Sequence, residues 1–206
     1  MSNIPHLAQT STEAEQIALI ESLITVGTAM FSCKSLDDLL NLILSTSREI
    51  TWSDAGSIYL VDRSDGILKL LFEVSQNSSQ PTLSLRDFAI PINMNSLAGY
   101  VAMTGESLNW ADVYNLPATA PYKLDHSFDK DTSYRTRSML VLPMQNPRQE
   151  TVGVIQLINR KVSPDAIVTP STVEGVTQPY SRLEERIVRS LACQAAAAME
   201  LQKIQS

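Results

Sequence analysis

Cysteine is almost missing from this 206-residue chain, and Cys33 and Cys193 do not make a disulfide framework. A reducing, cytoplasmic setting is therefore expected. Long apolar runs are also missing: none approaches the roughly 20 residues of a membrane span, so no membrane association is expected. The first residues, MSNIPHLAQTSTEAE, lack the basic patch and apolar core of a signal peptide. Histidine is limited to His6 and His126, in polar stretches, and no C-x-x-C or H-E-x-x-H spacing offers a metal site. There is no G-x-S-x-G elbow, P-loop or G-x-G-x-x-G, and the order of Ser, Asp and His identifies no triad. No catalytic residue, metal or cofactor is assigned, and the chain does not read as an enzyme. Positive charge is in deficit, with a net charge of −6, which disfavours a nucleic-acid-binding surface. What remains is a small-molecule ligand or a protein partner.

Hydrophobic residues at 44% and charged residues at 18% are ordinary for a globular chain. Residues 1–11 read as a loose tail and 12–206 as one domain. Thr12 with Glu15 has the form of a capping box, and Ile17, Ile20, Leu23, Ile24 and Met30 recur at helical spacing, predicting a helix over Glu13–Met30. A second helix is predicted after Ser35, with Asp37 and Asp38 in its first turn and a stripe of Leu36, Leu39, Leu40, Ile43 and Leu44. Asp65-Gly66 between the runs 56–61 and 67–74 predicts a hairpin. A short strand at Phe88–Ile92, a helix from Leu97 to Met103 opened by Ser96, and an extended Leu108–Trp110 follow. Residues 111–137 are too long for a plain connection and suit a lid. Arg160–Pro179, with three prolines and no apolar period, reads as a mobile insertion. Ser181 with Glu184 opens a last helix whose stripe runs through Leu191 and Ala195 to Met199, and Ala195–Ala198 would let another helix pack closely. Cys33 and Cys193, among apolar neighbours on helices, read as buried, inert thiols.

Several residues could hold a ligand. Ser96-Leu97-Ala98-Gly99 opens a helix whose unpaired amides suit an anion, although packing on a sheet would equally explain the small residues. A short helix starting at Asp131 would present Thr132, Tyr134 and Thr136 hydroxyls from the lid. Phe72-Glu73 sets an aromatic face beside a carboxylate, a pairing suited to a base. Gln156, an amide within an apolar strand, is either a satisfied core glutamine or a ligand contact.

The segment DKDTSYRTR at 129–137, followed by MLVLPM at 139–144 and GVIQLIN at 153–159, resembles the second half of a GAF domain. More narrowly, it is similar to the cyclic-nucleotide-binding GAF domains of phosphodiesterases and bacterial adenylyl cyclases. That resemblance implies an α+β fold with a mostly antiparallel, roughly six-stranded sheet, helices on one face and a lidded pocket on the other. It implies a sensing role, with cAMP favoured over cGMP as ligand and occupancy relayed through the terminal helices to an effector. Phe72-Glu73 then matches the pair that holds the purine, Ser57 a serine near the base, Ala98 the phosphate side, Thr136 the lid and Gln156 the pocket-facing strand, while Leu97, Gly99 and Tyr134 remain ligand candidates on the residue reading alone. Asn159-Arg160 and Tyr180…Glu184-Glu185 are similar to the family's Asn-Lys…Phe…Asp-Glu signature, which would place an Arg160–Glu184 ion pair outside the pocket. The long terminal helices predict a parallel homodimer. A GAF domain that only dimerises, or binds another small ligand, is the alternative. A sulfoxide reductase of this family would need lid cysteines, and a bilin-binding member a cysteine beside His126. The sequence has neither.

Overall fold

The computed structural model describes residues 13–64, 66, 68–81 and 89–205. The expected tail at 1–11, the Thr12 cap, Asp65 and Phe88 lie outside the described residues. Helix α1 (Glu13–Met30) leads into α2 (Leu36–Thr51). Ser35 caps α2 by accepting the Asp38 N–H at 3.1 Å, and Asp37 and Asp38 meet the positive end of its dipole. The helix stops where Trp52 turns left-handed (φ 51°) and donates its N–H back to the carbonyls of Arg48 and Glu49.

Strands β1 (Ser53–Asp62), β2 (Lys69–Asn77), β3 (Ala89–Pro91), β4 (Leu108–Trp110), β5 (Met139–Gln145) and β6 (Thr151–Arg160) form one sheet in the order β3-β2-β1-β6-β5-β4. Every neighbouring pair is antiparallel. The period-2 alternation then sorts side chains between two cores. Ile58, Leu140, Leu142, Ile155 and Leu157 face one side with Leu39, Leu40, Ile43 and Leu44 of α2, and with Val188, Leu191 and Ala195 of α6 (Arg182–Gln205). Gly56 lets α2 sit close, since a Cβ there would lie 2.9 Å from Leu44 Cδ1. Ala55, Tyr59, Val141, Val154 and Ile158 face the other side, under α3 (Leu97–Thr104) and the 111–137 segment.

Two bulges interrupt the alternation. Ile58 pairs with Val74 but Tyr59 with Phe72, which leaves Glu73 as the extra residue of β2. Met144 pairs with Gly153 and Gln145 with Thr151, so Val152 is extra in β6 and packs on the helix side, against the simple alternation.

Five expectations need correction. In α1 the buried residues are Leu19, Val26 and Met30, whereas Ile17, Ile20 and Ile24 of the expected stripe are 50–64% exposed. The helix is apolar on more than one side, so spacing alone did not identify its core face. Ala195, Ala196 and Ala198 are buried in this chain's own helix-side core rather than offered to a partner. The short lid helix, α4, spans Ser127–Thr132 and ends where it was expected to begin, because Ser133 adopts φ 53°. Residues 160–179 bury surface: Val168, Val173 and Thr177 are buried, α5 (Val173–Val176) forms, and Val162 N–H and Gln178 N–H donate to Val176 O and Arg160 O. Cys33 and Cys193 are half-buried rather than buried, with no disulfide, and burial pushes the Cys33 thiol pKa up.

Candidate functional site

The candidate site is the face of the sheet opposite α2 and α6. Ser57 on β1 is paired across the sheet with Gln156 on β6, and Gln156 with Val141 on β5. Alternation therefore places Ser57 and half-buried Gln156 on this face among Tyr59, Val154 and Ile158. Tyr59 meets Phe72 edge-on, with ring centroids 4.8 Å apart. Burial pushes the Tyr59 hydroxyl up to about 12, partly opposed by its hydrogen bond with Ser57. Phe72 is half-buried on the same cluster, while Glu73 is the bulged residue beside it rather than its partner in regular alternation.

Helix α3 covers the face through Leu97, Ala98 and Val101. Ser96 Oγ accepts the Gly99 N–H at 3.0 Å, so the cap takes one of the three amides expected to hold an anion, and those of Leu97 and Ala98 remain outside this bond. Gly99 has a local reason as well: a Cβ there would sit 2.3 Å from Asn93 O. Next to α3, Trp110 and Tyr122 meet edge to face at 6.4 Å, and Tyr122 meets Tyr100 at 4.7 Å. The Trp110 indole N–H is buried with no acceptor among the described residues. Sequence reading missed this donor, although a tryptophan ending a short strand next to the lid was its only signal.

The lid is anchored by carboxylates that were not anticipated. Thr136 donates both its N–H and its hydroxyl to buried Asp129, at 2.7 and 2.8 Å, and Tyr114 Oη donates to the same carboxylate at 2.8 Å. Tyr134 donates to Asp54, 1% exposed at the start of β1, at 2.7 Å. Burial, with the Asp54 charge adding to it, raises the Tyr134 hydroxyl well above its usual pKa. Thr132 donates to Phe128 O. The three lid hydroxyls therefore hold the lid together rather than pointing free at a ligand. A charged residue at the start of a β-prone run, 53–61, was the available clue to Asp54. Arg135 lies over the Tyr114 ring at 3.4 Å, which in turn meets exposed His126 at 4.5 Å.

The signature residues meet at one kink. Asn159 adopts φ 56°, a left-handed conformation that Asn tolerates better than most residues. Its Nδ2 donates to Tyr134 Oη and Arg135 O, and its Oδ1 accepts the Arg137 N–H. The kink sends Arg160 to the opposite side, where Nε donates to Glu184 Oε1 and Oε2 at 2.7 and 2.9 Å in a pair 9% and 0% exposed. Glu184 also accepts the Ser181 N–H at 2.7 Å while its own N–H bonds Ser181 Oγ, completing the capping box of α6. Tyr180 Oη bonds Ser53 Oγ at 2.9 Å, and burial raises its pKa strongly. Glu185 accepts from Asn109 of β4 and from Arg189. Adjacent residues of one strand thus hold the lid and the start of the last helix.

Among the described residues no group of three or more His, Cys, Asp and Glu could hold a metal ion, and no helix is long and apolar enough to cross a membrane. Similarity to known proteins runs across most of the chain. A probable 3′,5′-cyclic phosphodiesterase of Caenorhabditis elegans, pde-5, is 26% identical over 188 residues, covering 86% of this chain but 25% of that protein. The chain thus spans about a quarter of that relative. The GAF domain of an Acinetobacter phosphoenolpyruvate-protein phosphotransferase superposes with a TM-score of 0.67 at 17% identity, covering 95% of this chain and 98% of that one. A free methionine-R-sulfoxide reductase from Neisseria meningitidis, solved with its substrate, has a TM-score of 0.64 at 16% identity, covering 98% and 99%. These structures share the fold. The GAF domain family model matches residues 35–199, and the chain belongs to that family.

Proposed function

We propose that this GAF domain is a non-catalytic sensor of a cyclic purine mononucleotide, cAMP in preference to cGMP, bound on the lid-side face. The observation that carries the ligand-binding part is the placement of Ser57, Phe72 and Gln156 on one aromatic face that α3 covers, with Trp110, whose buried N–H has no acceptor among the described residues, farther along the same face on β4. A buried donor without an acceptor is costly to a fold and calls for a polar guest. Phe72 would stack on the base, Gln156 and Ser57 would meet its polar edge, and the Leu97 and Ala98 amides would hold the single negative charge of the cyclic phosphate. The nucleotide class is supported by the relative named as a cyclic phosphodiesterase, and the preference for cAMP by the resemblance to bacterial cyclases. Tyr122, Leu97 and Ala98 pack on this face, so entry requires the lid to move outward.

Movement of the lid would pull on Asn159 through Tyr134 and Arg135, and on α6 through the next residue, Arg160. The partner side of the reading is a homodimer with a downstream effector, paired through the exposed Ile17, Ile20 and Ile24 of α1 and Phe31 just after it. Dimerisation alone, without a nucleotide, is the second reading that this exposed face supports. Titration calorimetry with cAMP and cGMP, on protein freed of carried-over ligand, decides between them. The expected result is saturable heat that Phe72→Ala weakens by about 1–3 kcal/mol, the scale of one lost base stack. No heat with either nucleotide would leave the dimerisation reading.

A further inference from the structure

On the far side of β1 from the lid, the end of α2 borders a cleft of about 340 Å³ that shares no residue with the candidate site. Arg48 and Lys161 both line it, with Ser45, Ser78, Gln76 and Trp52. Arg48 is held by bonds to Gln76 Oε1 at 2.9 Å, to Asp54 O at 2.8 Å and to Ser78 Oγ at 2.5 Å, yet its Nε–H is buried with no acceptor. Lys161 is 7% exposed, and among the described residues its ammonium hydrogen-bonds one carbonyl, that of Pro164. An ammonium has further donors to offer.

The nearby negative charges do not complete either cation. Asp54 turns its carboxylate to the Ser79 and Tyr134 hydroxyls, Glu49 lies exposed at the rim, and Asp165, exposed beside Pro164, favours the charged Lys161 from the side without pairing with it among the described ion pairs. The carbonyls at the end of α2 would repel an anion, but the Trp52 N–H covers those of Arg48 and Glu49. Burial lowers the pKa of both cations, opposed in part by the Asp54 charge, and for Lys161 the Arg48 charge adds to the lowering. Two poorly solvated cations sharing one cleft gain from an anion between them.

We propose that this cleft is a second binding site, taking the oxyanion end of a small ligand, phosphate or carboxylate, between Arg48 and Lys161. The Ser78 hydroxyl, which accepts from Arg48 and keeps its own proton, and the Arg48 Nε–H would direct it, and Trp52 would flank whatever the anion carries. The inference stands apart from the nucleotide reading, since the two sites have no lining residue in common.

The chain has two tryptophans, so a Trp110→Phe background leaves Trp52 as a fluorescent reporter at the cleft. Inorganic phosphate, pyrophosphate and acetate are titrated at constant ionic strength, with thermal unfolding followed in parallel. The expected result is a saturable change in Trp52 emission and a rise in Tm with at least one of them. Phosphate or pyrophosphate responding assigns a phosphorylated ligand, and acetate alone a carboxylate. Lys161→Met should weaken the response roughly tenfold or more, the scale of losing one charge-assisted contact. Ser45→Phe, which fills the cleft and keeps both cations, should abolish it. Absence of any saturable response at millimolar anion, or equal responses in folded Lys161→Met and Ser45→Phe proteins, overturns the proposal.

Discussion

The two faces of the sheet are built from different chemistry. The helix side is aliphatic: its buried members are mainly Leu, Ile, Val, Ala and Met, with Tyr180 at its margin as the one aromatic among the described ones. The lid side gathers Tyr59, Phe72, Trp110, Tyr122 and Tyr134. It also buries carboxylates beneath the lid, at Asp54 and Asp129. Aliphatic packing is close, undirected and costly to open. Aromatic rings with polar insets present flat faces and hydrogen-bond donors that a ligand can use. One side thus fixes the fold, while the other is suited to exchanging its own contacts for those of a guest. The Asn159 kink is where the two sides are joined.

The comparison can be broken most severely at that joint. Arg160→Met leaves the Glu184 carboxylate buried with its cationic partner gone, and about 3–5 kcal/mol of stability should be lost in urea unfolding. Leu44→Ala, fully buried between α2 and β1, should cost about 2–5 kcal/mol through the cavity it leaves. Replacing residues 162–177 by a Gly-Ser linker should cost more than about 2 kcal/mol, since Val168 and Val173 are buried; a smaller loss would mark the segment as peripheral. On the lid side, Thr136→Val should cost about 1–3 kcal/mol by depriving buried Asp129 of a donor.

A further effect concerns pH. Tyr59, Tyr134 and Tyr180 all have raised folded-state pKa values, for Tyr59 about 12. Their contribution is fully present below the usual tyrosine value and is lost above it, because the unfolded chain then releases protons that the folded one retains. Unfolding midpoints should fall between about pH 10 and 12, and Tyr59→Phe should shrink that fall.

The framework was legible in the sequence where one local pattern sufficed. Ser35, Ser96 and Ser181 mark helix starts through their caps. The first hairpin followed from its turn residues and the Arg160–Glu184 pair from the family resemblance. What escaped depended on long-range pairing. The bulge at Glu73 is set by register with β1. Thr136 could not be seen as spent without knowing that Asp129 folds back onto it. Residues 160–179 have no periodicity because they cover the core with single residues, Val168 and Val173, rather than with a face.

The central claim is that lid and last helix are coupled through Asn159 and Arg160, and a double-mutant cycle tests it most directly. Tyr134→Phe removes the hydroxyl that joins Asn159 to Asp54, and Glu184→Gln removes the charge that holds Arg160. Tyr134 and Glu184 bond different residues on opposite sides of the sheet, so direct contact supplies no coupling. The account predicts that the stability losses of the two substitutions are non-additive, by about 0.5–3 kcal/mol. Additivity within about 0.3 kcal/mol would mean that the lid and α6 are held independently, and would contradict the relay.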